Sequence, residues 1–343
     1  MPTKQLKLTY ALKDGEIVSI EDVKSGLTCG CICPACGDPL VAKKGEKMMH
    51  HFAHHAGHTC EFGYESSLHL AAKNILSKAK KIVLPAVYLA FPESCKEAQL
   101  ISESKEIKID KVELEKRYSD IVPDIVIYSG GKQLFVEIYV THRIDDEKLN
   151  KLRKANISTI EIDLSDKRET ISTEELTNLL LNNSEEKKWI YNAISNKYLQ
   201  KFYNVADKRN AFSKDSEFYV VNCPIKQRIW RRKAYASITD CFECNYCIYI
   251  SYETEVVQYI LCSGKLRVAT IDDFNVPEKK RIQDSDSILS DIRESAVFSG
   301  HCPYCGGDLR KRHGTYGDFL GCSNYPHCEF KVGCDPDTGA PKY

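Results

Sequence analysis

The 343-residue sequence lacks any long hydrophobic run. Its longest apolar stretch, "IVLPAVYLAF" at residues 82–91, contains a proline and is far shorter than the roughly 20 residues that a membrane-spanning helix needs. The start, "MPTKQLKLTY", has no hydrophobic signal-peptide core. These absences predict a cytoplasmic protein rather than a secreted or membrane-spanning one.

Net charge is also absent, because 48 basic residues balance 48 acidic ones. A neutral total does not exclude a nucleic-acid partner, since basic residues can still cluster in local patches. The sequence has no long-period repeat and no low-complexity tract. Its length predicts two or three domains.

Cysteine, in contrast, is abundant. Five of the 16 cysteines precede residue 61, five lie between residues 223 and 262, five lie between 302 and 334, and Cys95 stands alone. In a reducing compartment such clusters are typical of metal sites rather than disulfides. The clusters predict an α+β multidomain protein with an N-terminal zinc-binding domain (1–60), an α/β core (61–166), a helical linker followed by a zinc ribbon (167–295) and a zinc finger (296–343).

The C-terminal cluster reads "CPYCGGDLRKRHGTYGDFLGCSNYPHC". Cys302 and Cys305 have two residues between them, and Cys322 and Cys328 follow. A C-x2-C pair followed by a second pair of thiolates suits a closed tetrahedral zinc site.

About 30 residues of this stretch, including "GDFLGCSNYPHC", resemble the C4 zinc finger at the C-terminus of bacterial type I topoisomerases. The resemblance implies a module that binds DNA, mainly as single strands. Cations and aromatic rings suit such binding, because cations neutralise phosphates and rings stack on bases. The alternative is that the rings pack the zinc knuckle. The candidate residues are Arg310, Lys311, Arg312, Phe319 and Tyr325.

The N-terminal cluster contains Cys33-x2-Cys36 and then His51-x2-His54. Together these four residues make a Cys2His2 zinc set. Neighbouring residues compete with them as ligands, namely Cys29, Cys31, His50, His55, His58 and Cys60.

The middle cluster offers five thiols for four places. Cys241-x2-Cys244 forms one knuckle, and Cys223 and Cys262, each 17 intervening residues away, complete the set, with Cys247 left over. We therefore expect about three structural zinc ions in all. The nearby "KQRIWRRK", which includes Arg231 and Arg232, is either a nucleic-acid surface or a solvated basic strand.

Between the first two clusters, "IVPDIVIYSGGKQLFVEIYVTH" at residues 121–142 predicts a β-hairpin. Gly130-Gly131 is a two-residue turn signal, and it sets Asp124 opposite Glu137. Two facing acids repel each other, so a divalent cation between them is expected. The alternative is an acidic pair on a solvated sheet face. The other face is the predicted core face, made of Ile125, Ile127, Leu134, Val136, Ile138 and Val140.

The order α-β-β-β-α-β over residues 61–166, with acids on adjoining strands, resembles the PD-(D/E)XK nuclease fold. The motifs "CPAC", "HHFAHH", "ESSLHLAAK", "PDIVI" and "FVEIYVTH" resemble more closely the competence protein CoiA family, over roughly residues 27–165. The resemblance implies that Asp124 and Glu137 bind metal, that Glu65 is an additional acid, and that a zinc-binding "HFAH" element precedes the nuclease core.

His69 and Lys73 follow Glu65 at helical spacing and share its helix face. Tyr139 stands where the family motif has lysine, so the cation must come from elsewhere. We expect Lys148 to supply it, with His142 and Lys73 as alternatives.

These features predict a Mg2+- or Mn2+-dependent deoxyribonuclease whose zinc modules bind DNA, single-stranded or with single-stranded regions. The carboxylates would hold the ion, which orients and acidifies a water. The alternative is a catalytically inactive, DNA-binding protein of the same fold that serves competence, recombination or defence. A purely structural zinc scaffold is the third reading.

Overall fold

A computed structural model describes residues 7–46, 49–57, 60, 62–91, 96–141, 143, 145–166, 171–231 and 233–342. The chain forms two compact units, Met1–Val87 with Ser102–Ile194 and Tyr88–Ile101 with Ser195–Tyr343. His58, His142 and Arg232, all considered above, lie outside the described residues. Within the described ranges, no helix is both long and apolar enough to cross a membrane.

The elements are numbered in chain order. The helices are α1 (Gly63–Lys78), α2 (Asp146–Ala155), α3 (Thr173–Leu181), α4 (Ala193–Val205), α5 (Ile238–Phe242) and α6 (Glu278–Phe298). The strands are β1 (Tyr10–Lys13), β2 (Glu16–Ser19), β3 (Leu40–Lys43), β4 (His51–His54), β5 (Lys81–Leu84), β6 (Val87–Leu89), β7 (Gln99–Ser102), β8 (Lys105–Lys108), β9 (Lys111–Leu114), β10 (Ile125–Ser129), β11 (Lys132–Tyr139), β12 (Thr159–Asp163), β13 (Lys187–Tyr191), β14 (Asp207–Lys214), β15 (Glu217–Val221), β16 (Arg228–Trp230), β17 (Lys233–Ser237), β18 (Cys247–Glu253), β19 (Val256–Cys262), β20 (Leu309–Gly314), β21 (Gly317–Cys322), β22 (Lys331–Cys334) and β23 (Pro341–Lys342).

The first unit is built around a five-stranded sheet in the order β13-β12-β11-β10-β9. Strands β11 and β12 run parallel, and the other neighbours are antiparallel. The expected order α-β-β-β-α-β is present as α1, β9, β10, β11, α2 and β12, with the short strands β5 to β8 inserted before β9. Strand β13 extends the sheet with residues that the sequence had placed in a helical linker.

Helices cover both faces of this sheet. Ile125, Ile127, Val136 and Ile138 are buried in one cluster with apolar residues of α1 and α3, so the predicted core face is confirmed. The other face is not solvated, because Val126 and Phe135 are buried together with Leu152 of α2. The acids of the hairpin therefore lie at the end of a sheet that is covered on both sides.

Local signals explain the helix ends. The N-cap of α2 is Asp145, whose side chain accepts a hydrogen bond from the Lys148 backbone N–H. Asn156 ends the same helix in the left-handed conformation. Ser172 and Glu175 form a capping box at the start of α3.

The second unit contains a six-stranded antiparallel sheet in the order β16-β17-β15-β14-β19-β18 and a four-stranded sheet in the order β20-β21-β22-β23. Tyr88–Ile101 also belongs to this unit, where Phe91 packs edge-on against Phe202 of α4 with ring centroids 5.0 Å apart. The middle cysteines lie on or beside the strands of the six-stranded antiparallel sheet.

Candidate functional site

Asp124 and Glu137 meet at one end of the central sheet. The hairpin pairs Ile125 with Val136 and Ser129 with Lys132, which confirms the predicted register. Continued by one residue, that register sets Asp124 opposite Glu137. Glu137 is buried at 4% exposure, and Asp124 is half-buried.

Asp124 is held by three donors. Its Oδ2 lies 2.9 Å from His69 Nε2 and accepts a hydrogen bond of 2.9 Å from the Ile138 N–H. Its Oδ1 lies 3.1 Å from Lys73 Nζ. Burial opposes ionisation, but these partners outweigh it and hold the pKa of Asp124 far below its usual range. Asp124 is therefore an ionised carboxylate at neutral pH.

Lys73 connects Asp124 to a further acid. Its ammonium is buried and lies 2.8 Å from Glu115 Oε1, just after β9. Lys73 lowers the pKa of Glu115 through this hydrogen bond and its charge. Glu115 was not among the residues expected from the sequence. Its position directly after the strand that pairs with β10 is the signal that could have identified it.

Glu137 is in a different environment. Burial raises its pKa to about 7, the charge of Asp124 adds to this effect, and Lys148 opposes it. Oε2 accepts a hydrogen bond of 2.7 Å from Lys148 Nζ. Lys148 is the cation that we expected, from the sequence, to contact the acids in place of the motif lysine. Oε1 is buried and has no hydrogen-bond partner among the described residues.

Two more acids belong to elements that contact the pair. Glu65 is partly buried in the first turn of α1, one turn before His69. Glu161 of β12 is buried and adjoins Glu137 in the parallel register. It lies 2.7 Å from Lys188 Nζ. The sequence signal for Glu161 is an acid inside the apolar alternation "TIEID".

The acids form a site suited to a hard divalent cation, because such ions prefer carboxylate oxygens. The unpartnered Oε1 of Glu137 is the oxygen that a cation would satisfy. Asp124 and Glu137 are the residues placed to hold it.

The C-terminal thiols come together as predicted. Cys302 Sγ lies 3.6 Å from Cys328 Sγ, and Cys305 Sγ lies 3.3 Å from Cys322 Sγ. All four sulfurs lie within 4.8 Å of one another. Tetrahedral zinc with bonds of about 2.3 Å sets its sulfurs about 3.8 Å apart, so the four residues fit zinc.

The N-terminal site differs from the expected set in one ligand. Cys33, Cys36, His54 and Cys60 lie within 4.8 Å of one another, and Cys36 Sγ is 3.3 Å from His54 Nε2. His51 is not in the group, and its Nδ1 lies 2.9 Å from the Met49 carbonyl. The histidines belong to strand β4, where side chains three positions apart point to opposite faces. Cys60 therefore takes the place predicted for His51.

The five middle cysteines, Cys223, Cys241, Cys244, Cys247 and Cys262, line one cavity of about 20 Å3. Burial raises the pKa of Cys244 to about 11 and that of Cys247 to about 12. Unlike the ligand atoms of the other two sites, these sulfur atoms do not all lie within 4.8 Å of one another. Cys247 faces the cavity with the four residues predicted as ligands.

A groove of about 580 Å3 runs along the C-terminal sheet. Arg312, Phe319 and Tyr325, all predicted, line it together with Lys331. Gly321 makes room for this arrangement, because a Cβ there would lie 3.1 Å from the Phe319 ring and 3.3 Å from Arg312 Cδ. The groove combines cations with aromatic rings. Proteins that bind single-stranded nucleic acid use cations to contact the phosphates and rings to stack on the bases.

The other predicted cations lie outside the groove lining. Arg310 is exposed on β20, two positions from Arg312 and so on the same strand face. Lys311 alternates to the opposite face and lies 3.0 Å from Asp318 Oδ2. Arg231 is exposed at the turn between β16 and β17.

Two family models match parts of the chain. The topoisomerase DNA binding C4 zinc finger matches residues 299–336, and the N-terminal domain of competence protein CoiA matches residues 19–63. These ranges contain the C-terminal site and all of the N-terminal ligands. No solved structure matches the chain significantly.

The curated relatives share short regions. DNA topoisomerase 1 of Methanocaldococcus jannaschii is 61% identical over 54 residues, 16% of this chain and 7% of that protein. DNA topoisomerase 1 of Methanothermobacter thermautotrophicus is 53% identical over 36 residues, 10% of this chain and 5% of that protein. Uncharacterized protein YrdD of Escherichia coli is 55% identical over 43 residues, 11% of this chain and 24% of that protein. The chain thus spans a quarter or less of the length of each.

Proposed function

We propose that this protein processes DNA: the C-terminal zinc ribbon binds single-stranded DNA, and the end of the central sheet hydrolyses phosphodiester bonds with Mg2+ or Mn2+. The observation that carries the second part is the pair of Asp124 and Glu137, with Glu137 Oε1 buried and without a hydrogen-bond partner in the part of the chain that the structure describes. The resemblance to the PD-(D/E)XK nuclease fold and to the CoiA family agrees with this assignment.

Asp124 and Glu137 would hold the ion. A bound divalent ion supplies an acidified water as nucleophile and stabilises charge on the scissile phosphate. The Lys148 ammonium lies 2.7 Å from Glu137 Oε2, beside the position that the ion would take, and would neutralise the charge that develops on the phosphate. His69 and the Ile138 N–H fix the orientation of Asp124.

The DNA-binding part rests on the groove. Arg312 and Lys331 offer positive charge for phosphates, and Phe319 and Tyr325 offer ring faces. One base stacked on an aromatic ring contributes about 1–3 kcal/mol by alanine substitution. Stacking needs unpaired bases, so we assign single-stranded DNA, or DNA with single-stranded regions, as the partner. Zinc sites built from thiolates are typical of a reducing compartment, so we assign the cytoplasm as the location.

A second candidate is a DNA-binding protein of competence, recombination or defence that does not cleave. The observation in its favour is that both oxygens of Asp124 already have partners in His69, Lys73 and the Ile138 N–H. Lys148 likewise neutralises one oxygen of Glu137. In this case the cations, rather than a metal ion, offset the repulsion between the acids.

Cleavage assays separate the two functions. Full-length protein is incubated with single- and double-stranded DNA in Mg2+, in Mn2+ and in EDTA, beside Glu137→Gln and the control Glu113→Gln. Glu113 is an acid of the same sheet that pairs with Lys111 and Lys116 instead. We expect metal-dependent cleavage by the wild type and by the control, and none by Glu137→Gln. Absence of cleavage with either metal, with DNA binding intact, favours the second candidate.

A further inference from the structure

We propose a third zinc site in the second unit, a tetrathiolate centre formed by Cys223, Cys244, Cys247 and Cys262. These four residues and Cys241 line one small cavity. Its volume of about 20 Å3 is of the size that one water molecule needs, so it accommodates a single ion. This site is separate from the DNA groove and from the acidic site, and it does not rest on the proposed function.

The first half of the centre repeats the first half of the C-terminal site. "CNYC" at residues 244–247 corresponds to "CPYC" at residues 302–305. In both, the backbone N–H groups two and three positions later interact with the first sulfur; they belong to Tyr246 and Cys247 for Cys244, and to Tyr304 and Cys305 for Cys302. Backbone N–H groups aimed at sulfur stabilise the thiolate form that metals bind. The knuckle of the third site is therefore Cys244-x2-Cys247.

The third ligand also has a counterpart. Cys262 ends β19 as Cys322 ends β21, and each is followed by a serine. The next backbone N–H, from Gly264 or Asn324, interacts with the sulfur in each case.

The close packing around Cys262 requires glycine at position 264. A Cβ on Gly264 would lie 3.3 Å from Cys262 Sγ and 2.9 Å from Pro224 Cγ, so only glycine fits. Cys262 is also the cross-strand partner of Cys247. Directly opposed residues on neighbouring strands point to the same face, which brings the two sulfurs towards one another.

Cys223 is the best fourth ligand. It is followed by Pro224, as Cys33 and Cys302, the first ligands of the other two sites, are followed by proline. The contact with Gly264 places the Cys223-Pro224 turn beside Cys262. Cys241 instead belongs to the short helix α5, although it shares its apolar cluster with Cys247 and Cys262. It remains as a buried thiol next to the metal.

The surroundings match the charge of the centre. Zinc with four thiolates carries two net negative charges, and two cations lie beside the cavity. The Arg209 guanidinium interacts with Cys262, and its Nε is buried without a hydrogen-bond partner among the described residues. The Lys96 ammonium lies close enough to Cys244 and Cys247 for its positive charge to interact with both thiols. Arg209 is half-buried and also lies 3.3 Å from Asp207 Oδ2, so the centre would share this cation with one carboxylate.

Elemental analysis of the full chain tests this site. We expect three zinc ions per chain in the wild type and in Cys241→Ser, and two in Cys247→Ser, Cys262→Ser and Cys223→Ser. Circular dichroism checks that each variant folds. If a variant does not fold, the number of zinc ions is measured on the wild type by their stepwise release with a thiol reagent. We then expect three ions to be released from twelve ligands, of which eleven are thiols.

Cobalt substitution adds a readout of the ligands. Each thiolate lost from a Co2+ site weakens the sulfur-to-metal charge-transfer band, so Cys262→Ser should lower the band and Cys241→Ser should leave it unchanged. Two zinc ions in the wild type overturn the site. Loss of zinc from Cys241→Ser with retention in Cys223→Ser overturns the ligand set, and iron in place of zinc overturns the metal.

Discussion

Replacing Glu137 by glutamine tests the electrostatics of the acidic site without relying on any activity. Burial raises the pKa of Glu137 from 4.5 to about 7 in the folded protein. The folded state therefore holds this proton more tightly than the unfolded chain does. The resulting stabilisation is complete below pH 4.5 and is lost as the pH rises through 7. At about 1.4 kcal/mol per pKa unit, the loss is about 3 kcal/mol.

Glutamine does not titrate, so the unfolding curve of Glu137→Gln should lack this loss. As the pH rises from 4.5 to 8, we expect the free energy of unfolding of the variant to increase by about 3 kcal/mol relative to that of the wild type. For a unit of this size, that corresponds to a rise in Tm of about 6–12 °C. Calorimetry of the full-length proteins without divalent ions measures it, and Glu113→Gln is the control.

Mg2+ gives this experiment a second arm. An ion that binds ionised Glu137 stabilises the folded wild type at pH 8 and not at pH 5, while Glu137→Gln should respond little. Parallel Tm curves for the wild type and Glu137→Gln from pH 4.5 to 8 would refute the reasoning, because they would mean that Glu137 keeps an ordinary pKa.

Two further pairs of substitutions, each a test and its control, probe the zinc modules. Gly321→Ala should displace the Phe319 ring and lower affinity for a single-stranded oligonucleotide about tenfold in a fluorescence titration, the equivalent of one stacked base. Gly333→Ala on the adjacent strand, where a Cβ meets nothing nearer than 4.0 Å, should bind as the wild type does; equal affinities for both variants would exclude the groove. Cys60→Ala should lose one zinc ion by elemental analysis while His51→Ala keeps it, and the reverse result would restore the ligand set predicted from the sequence.

The sequence predicted features that depend on neighbouring residues. The Gly130-Gly131 turn and the alternation of apolar residues set the hairpin register, and both signals are local. The capping box at Ser172 is another local feature, because it lies within one helical turn. Such features follow from backbone geometry that a few consecutive residues determine.

What the sequence did not predict depends on distant residues or on the local conformation of a motif. Lys73 reaches Glu115 across 42 positions, and only the packing of α1 on the sheet brings them together. The spacing His51-x2-His54 suits one face of a helix, but the segment is a strand, which turns the two side chains apart. The fourth zinc ligand therefore came from Cys60, the next thiol along the chain.

The facing acids of the hairpin tolerate each other because their environments differ. Asp124 is ionised, because it has His69, Lys73 and a backbone N–H as partners. Glu137 accepts a hydrogen bond from Lys148 and lies within the field of Lys73, but burial holds its pKa near neutrality. Environments that push two facing carboxyl groups apart in pKa leave one charge rather than two at the site, which limits the repulsion that a free pair would suffer. The divalent ion proposed above would change this balance, since it would offset both charges and bind Glu137 Oε1, which has no hydrogen-bond partner among the described residues. Under that proposal, the same arrangement would permit a stable fold without the ion and would gain a second ionised carboxylate when the ion binds.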